Sequence, residues 1–463
     1  MRHAITAALI LFPLPASVRG QEAFEGVTMI SPLNSNQTYA MDADGAILKT
    51  WNGSSRPASF AYLLADGSIV RPCEDSAGQF SGGGVGGRIQ KIDTDDNLVW
   101  DFYYSTYDHQ QHHDIQPMPN GNVLLIAWER KTRQEAIAAG RQTINGEMWP
   151  TLIVEVEPVG ASEGNVVWEW HLWDHLVQDA DASKLNYGVV ADHPERIDIN
   201  YGNVGGPPPG GGDWIHANSV DYNEQLDQIV FSSRAFSEFY IIDHSTTTAE
   251  AAGHSGGNSG KGGDILYRWG NPQTYDRGTT ADEHFYVVHG AHWIDCGLPG
   301  AGNILAFNNG DRAGTTNDYS TVDEIALPLE ADGSYHLEAG EAYGPSGPTW
   351  SYGGPGWYAG ATHCSAYRQP NGNTLITMAE EGFVFEVTED GTTVWEYDSP
   401  SNLPAAPRYW VTDLDDFAGL PTCLGGPNDS SEGCEVYDFD CDNDVDLADF
   451  AHLQTRFERF AGP

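Results

Sequence analysis

Basic side chains are scarce in this chain: 22 Lys and Arg stand against 66 Asp and Glu, a formal net charge of −44 over 463 residues. Nucleic acid and anionic membrane surfaces repel such a chain, so neither is expected as a partner. In a salty medium, screening over about 8 Å or less weakens its self-repulsion. Long apolar runs are missing too. No stretch reaches the about 18 apolar residues of a membrane-crossing helix, so no transmembrane span is expected. Cysteine is sparse, and its spacing fits no zinc motif. Cys73, Cys296 and Cys364 lie in the long first part, and Cys423, Cys434 and Cys441 in the last 41 residues. An odd number in each part implies a free thiol or a bridge between parts. No long amphipathic helical pattern stands out either.

What is present points to short strands and tight turns, with 53 Gly, 14 Trp and 21 Tyr. The length allows about two to four domains. At the front, Arg2, an apolar run over 4–14 and small residues over 16–20 read as an export signal spanning 1–20. The expected location is therefore secreted or periplasmic, where disulfides form.

The main signal is an internal repeat. Half of each unit is a hairpin with an Asn-Gly, Asp-Gly or Gly-rich turn, at Asp66-Gly67, Asn120-Gly121, Gly300-Ala301-Gly302 and Asn371-Gly372. The other half ends in aromatics, as in Val99-Trp100-Asp101-Phe102, Val167-Trp168-Glu169-Trp170, Leu266-Tyr267-Arg268-Trp269 and Val394-Trp395-Glu396-Tyr397. Units starting near 59, 112, 216, 289 and 363, each of four strands, predict an all-β, six-bladed β-propeller over 21–398. An orphan half-unit, Asp44-Gly45 to Trp51, is expected to pair with strands of another blade and close the ring. Inserts over 130–149, 179–212, 246–263 and 340–360 read as surface loops, with a short helix over 131–139.

Residues 399–407, with three prolines, read as a linker, and 408–463 as a small Asp-rich module. There Asp438, Asp440, Asp442, Asp444, Asp446 and Asp449 take loop positions 1, 3, 5, 7, 9 and 12 of an EF-hand-type Ca²⁺ loop, Asp444 through its carbonyl. Asn443 stands at the usual Gly position and tolerates the left-handed conformation. The tail resembles the type I dockerin family, which implies Ca²⁺ as its cofactor and a cohesin-like or cell-surface partner. Its first copy, around Asp413-Leu414-Asp415-Asp416, lacks an Asp-rich loop.

Sixteen histidines remain, and some recur in register. His112, His292 and His363 each stand seven residues before the Pro of their turn, and His216 seven before Asn223. The first strand of a propeller blade lines the central channel, so these side chains are expected to converge on one axis. His113 adjoins His112, and by strand alternation the two should face opposite ways.

The motif Trp214-x-His216-x-Asn218-Ser219, then Ser232-Ser233-Arg234 eighteen residues after the His, resembles the bacterial arylsulfate sulfotransferases. So do His112-His113-Asp114 and His292 ahead of Asn308-Asn309-Gly310-Asp311-Arg312. The resemblance implies a six-bladed propeller that moves a sulfuryl group from a phenolic sulfate ester to a phenol, through a sulfohistidine and without a nucleotide or other cofactor. It also implies His292 as nucleophile, assisted by His216, Asn218, Arg234 and one of His112 or His113. His289 is a rival nucleophile, three residues further from Asn303. A neutral imidazole can attack at neutral pH, and cations can stabilise the sulfuryl oxygens. Two other readings compete. One is a secreted glycan- or ligand-binding propeller tethered through its tail. The other is a metal-dependent polysaccharide lyase with axial histidines as ligands, which Arg234 opposes.

Overall fold

In the computed structural model, residues 23–64, 66–205, 211–312 and 317–410 are described, together with Val445. Six four-stranded antiparallel sheets follow one another as blades of a β-propeller. The second blade comprises Tyr62–Leu63, Ile69–Glu74, Gly87–Ile92 and Leu98–Tyr103. The third comprises His109–Pro117, Val123–Glu129, Thr151–Val159 and Glu163–His171. Ala217–Asn223, Gln228–Ser233, Glu238–Asp243 and Tyr267–Trp269 form the fourth, and Val288–Trp293, Ile304–Asn308, Thr321–Ile325 and Trp350–Gly353 the fifth. The sixth comprises Ser365–Arg368, Thr374–Met378, Phe383–Val387 and Thr393–Asp398. Middle strands are largely buried, Val123–Glu129 wholly so, because both their faces are covered by neighbouring blades. Outer strands such as Glu163–His171 expose Val166 and Val167 and bury Trp168 and Trp170.

A buried carboxylate ties each Asn-bearing turn to its own blade. Asn122 donates its amide to Glu155, Asn303 to Glu324 at 2.6 Å, and Asn373 to Glu386 at 2.7 Å. Each acid also meets a basic side chain: His244 for Glu155, Arg368 for Glu324 and Arg408 for Glu386. The Asn after the turn Gly is thus a structural bolt and not merely a hairpin signal.

The orphan front half closes the ring as expected. Val27–Ile30, Gln37–Met41 and Ile47–Asn52 make three strands of the first blade, and Arg408–Tyr409 supplies the fourth, against Val27–Ile30. The expected boundaries at 398 and 408 are corrected accordingly. Residues 399–407 are not a linker: Leu403 and Ala406 are buried against Ile30, Met41 and Trp395. Arg408, read as the first residue of the tail, belongs to the propeller. Its guanidinium forms a fully buried ion pair with Glu386. The insert 340–360 likewise contains the strand Trp350–Gly353, where a loop was expected. The expected short helix is present as Arg133–Ala138, capped by Thr132 and Glu135.

The Ca²⁺ loop from Asp438 to Asp449 and its dockerin-like surroundings lie outside the described residues. Cys296 is disulfide-bonded, and Cys73 and Cys364 are buried free thiols. Among the described residues no helix is long and apolar enough to cross a membrane.

Candidate functional site

Three inner strands carry an irregularity where they reach the axis. The register slips between Gln111 and Ile115, between Ala217 and Ser219, and between His289 and His292. At these points, and just ahead of the sixth blade's inner strand, a residue adopts a left-handed conformation: His113 (φ 52°), His216 (φ 53°), Gly290 (φ 62°) and His363 (φ 53°). Such values are uncommon for residues other than Gly, and a β-bulge at a barrel or channel rim re-aims a side chain. Here the bulges turn imidazoles toward one another.

His113, His216, His289 and His363 form the resulting cluster. Ring centroids lie 4.7 Å apart for His113 and His216, 6.3 Å for His113 and His363, and 6.2 Å for His289 and His363. His112 does not join it. Its ring stacks on Trp128 at 4.0 Å and contacts His113 through the two Nδ1 atoms at 2.8 Å. The two rings therefore touch instead of facing opposite ways, because left-handed His113 interrupts the pleat that the alternation argument assumed. His292 lines the same cavity as His289 and His363, but its ring lies against Tyr367 and its Nδ1 bonds the carbonyl of Gly290 at 2.8 Å. Counting back from the turn picked His292 because the fifth blade's hairpin loop is long. It runs over 294–303, against 118–122 in the third blade and 369–373 in the sixth.

His289 is held in one tautomer. Asn309 donates its amide to the carbonyls of Gly360 and His363 at 3.0 and 3.2 Å, which leaves its Oδ1 to accept from His289 Nδ1 at 2.6 Å. The Nε2 lone pair then accepts the backbone N–H of His363 at 3.2 Å. His216 has a different partner: its Nδ1 bonds the buried carboxylate of Asp213, which also accepts Trp128 Nε1–H at 3.1 Å. Burial pushes the Asp213 carboxyl up, yet His216 beside it holds the net value below the usual one.

The Ser-Ser-Arg motif fixes this loop. Ser233 Oγ donates to the carbonyl of Ile215 at 2.6 Å, and Ser232 Oγ to Asn218 Oδ1 at 2.5 Å. Asn218 in turn donates to the carbonyl of Val288 at 2.8 Å, joining the fourth blade to the strand that carries His289. Arg234 forms no ion pair among the described residues, although it is partly buried. Burial lowers its pKa, against the opposing charges of Asp311 and Asp213, and its charge acts on His289.

Burial, then the charge of neighbouring histidines, pushes His113 well below the usual histidine value. Burial, then His363 and Arg234, does the same to His289. His363 is pushed down to about 4 by burial and His216. All three are neutral near pH 7, and the Nε2 lone pair of His289 becomes available when the backbone N–H of His363 gives it up. The adjoining cavity, about 570 Å³, is lined by Phe60, Tyr62, Tyr367 and Tyr409, and by Asp114 and Asp221. Burial pushes both carboxyls up to about 7, with the charge of Asp295 adding to the effect at Asp221.

Sequence reasoning gave no role to Asp213 or Asn309 and passed over the glycine run Gly82-Gly83-Gly84. Gly84 lies so close to His113 that an added Cβ would stand 2.3 Å from its Nε2. The pairing of His289 with Asn309 could have been found from the Asn308-Asn309-Gly310 motif, had the bulge at Gly290 been foreseen.

The sequence profile of the family described as arylsulfotransferase (ASST) matches residues 21–405. No curated protein matches the chain. Among solved structures, a protein of unknown function from Bacteroides caccae is similar at 10% identity and TM-score 0.41, covering 81% of this chain and 94% of that one. Virginiamycin B lyase from Staphylococcus aureus is similar at 11% identity and TM-score 0.37, covering 83% and 88%. A 6-phosphogluconolactonase-like protein from Bacteroides fragilis is similar at 10% identity and TM-score 0.39, covering 84% and 99%. These three likenesses carry no argument about activity.

Proposed function

Since this chain belongs to the arylsulfotransferase family, we propose that it moves a sulfuryl group from a phenolic sulfate ester to a phenol, through a sulfated histidine and without a nucleotide. The observation that carries the reading is the contact between His289 and Asn309, which fixes the tautomer of a neutral imidazole whose basicity is lowered by burial, by His363 and by Arg234, a guanidinium with no ion pair among the described residues. In a chain of net charge −44, a partly buried cation with no ion pair among the described residues selects for an anion.

The proposed nucleophile is His289, in place of the His292 that the resemblance implied. Its Nε2, released from the backbone N–H of His363, attacks the sulfur of the ester, the N–S bond forms, and the aryl O–S bond breaks. His216 in its protonated form gives its Nε2 proton to the departing phenolate. Asp213 supports that imidazolium, as a carboxylate does for a catalytic histidine. The second half reverses the roles: the acceptor phenol passes its proton to His216, its oxygen attacks sulfur, and the N–S bond breaks. Catalysis of this kind rests on positioning and on charge stabilisation of the equatorial oxygens. Arg234 supplies the charge, worth about 3 kcal/mol by analogy with oxyanion donors. His113 and His363 flank the transferred group, and Asn218 holds the strand of His289. The aromatic wall of Phe60, Tyr62 and Tyr367 suits a phenyl ring.

The same reading takes the protein as secreted or periplasmic, with Ca²⁺ in the loop from Asp438 to Asp449 and a cohesin-like or cell-surface partner for the tail. The deciding experiment incubates full-length protein with a nitrophenyl sulfate and a phenol acceptor, with intact-mass detection of an acid-labile adduct. Turnover with an adduct that peptide mapping puts on His289 is expected. No turnover and no adduct sinks the reading, and an adduct on His292 restores the nucleophile that the resemblance implied.

A further inference from the structure

Away from the axial cluster, two further histidines and a carboxylate converge where three segments meet. His175 follows the outer strand of the third blade, Glu163–His171, after one 3-10 turn, Leu172–Asp174. Asp264 stands just ahead of the outer strand of the fourth blade, Tyr267–Trp269. His254 lies in the glycine-rich insert between them, past the helix Thr248–Ala251. His175 Nδ1 is 2.9 Å and His254 Nδ1 2.7 Å from the same oxygen, Asp264 Oδ1. All three atoms lie within 4.8 Å of one another.

The hydrogen-bond inventory of His175 is what turns this cluster into a site. The ring is fully buried, and its Nε2 faces the carbonyl of Ala251 at 2.8 Å, a contact that requires Nε2–H. In the neutral ring, Nδ1 is then a bare lone pair, pointed at a carboxylate oxygen that is itself an acceptor. His254 Nδ1 faces the same oxygen and satisfies it as an N–H donor in one tautomer. A proton on His175 Nδ1 relieves that ring's contact only by charging a buried imidazole, whereas a divalent cation placed among the three atoms relieves it with the ring neutral. A histidine that donates its second N–H to a backbone carbonyl is the usual outer support of a metal ligand.

The surroundings hold His175 ready. Trp170 stacks on it at 5.5 Å with planes 4° apart and donates its indole N–H to the carbonyl of Gly263 at 2.7 Å. A Cβ at Gly263 would stand 2.7 Å from His175 Nε2, so only glycine fits there. His254 is half exposed, which leaves one side of the cluster open to solvent.

We infer that His175, His254 and Asp264 bind a zinc-class divalent cation, with water in the fourth position, and that this cation staples the insert 246–263 across the third and fourth blades. Two imidazole nitrogens and one carboxylate suit Zn²⁺ or Co²⁺, not Ca²⁺, which takes six to eight oxygens.

The test uses full-length protein stripped with chelator, then titrated with Co²⁺ in buffer holding excess Ca²⁺ to occupy oxygen-only sites. The expected result is the intense visible absorption of four-coordinate Co²⁺, bleached by Zn²⁺, with slower proteolysis inside 246–263 on metal binding. His254→Ala, a half-exposed position, should lose one bound equivalent and the proteolytic protection while turning over aryl sulfate normally. Asp264→Asn, nearly isosteric, should weaken binding by about 10- to 100-fold or more. Absorption and stoichiometry unchanged in His254→Ala, or no Co²⁺ taken up by the unsubstituted protein at micromolar concentration, would overturn the assignment.

Discussion

His289 donates its Nδ1 proton to Asn309 Oδ1 across 2.6 Å, and Asn309 can accept only there because its amide is engaged by two carbonyls. That contact decides which nitrogen of His289 is nucleophilic. Asn309→Leu removes the acceptor and lets the ring take the other tautomer. Turnover of an aryl sulfate should fall by about 10²-fold or more, as when a catalytic histidine loses its orienting partner, and steady-state kinetics will show the loss in kcat.

His289→Ala should lower kcat by at least about 10³-fold, the scale of losing a covalent nucleophile. His292→Ala should stay within about tenfold of the parent, since its ring packs on Tyr367 and takes no part in the cluster. Equal losses in the two variants would refute the assignment.

Arg234→Ala should cost about 10²- to 10³-fold in kcat, as for removal of an oxyanion donor. Arg234→Lys should recover part of this, because the charge returns without the planar fork. The comparison requires both kcat and KM for the sulfate donor.

The pH profile follows from two opposite shifts. His289 sits well below the usual histidine value, so its free base persists into acid and the acid limb should lie below about 6.5. Asp114 and Asp221 are pushed up to about 7, so they are largely neutral below that pH and become anionic above it. KM for an anionic donor should therefore rise above pH 7. Asp221→Asn should flatten that rise, and an unchanged profile would remove the carboxyls from the account.

Gly84→Ala tests the close approach over His113. At φ 67° the backbone disfavours a side chain, and the new methyl would collide with the imidazole. Activity should drop while the thermal midpoint falls by only a few degrees, roughly what a loss of about 1 kcal/mol gives.

Much of the fold was legible because propeller blades repeat. Turn chemistry at Asn120-Gly121 and Asn371-Gly372, together with the aromatic outer strands, revealed the units. The orphan front half revealed that the ring must close. The closing strand was not legible. Arg408–Tyr409 is too short to show alternation, and the prolines before it read as a linker although Leu403 and Ala406 are buried. For the site, His216, Asn218 and Arg234 were readable from one local motif. His113 and His289 were not separable from His112 and His292, because a bulge adds residues that no spacing rule counts. Asp213 went unnoticed, being an ordinary acid in an acidic chain.

The buried pair of Arg408 and Glu386 also bears on the order in which this protein is made. Glu386 accepts the backbone N–H of Phe24 as well as the guanidinium, so one carboxylate gathers both ends of the ring. Of the propeller's strands, Arg408–Tyr409 is the last to leave the ribosome. Until then Val27–Ile30 has an open edge, the kind of surface that invites pairing with another chain. The propeller's exposure to aggregation is thus a matter of timing: a window that opens when its first strands emerge and shuts only when residue 409 arrives.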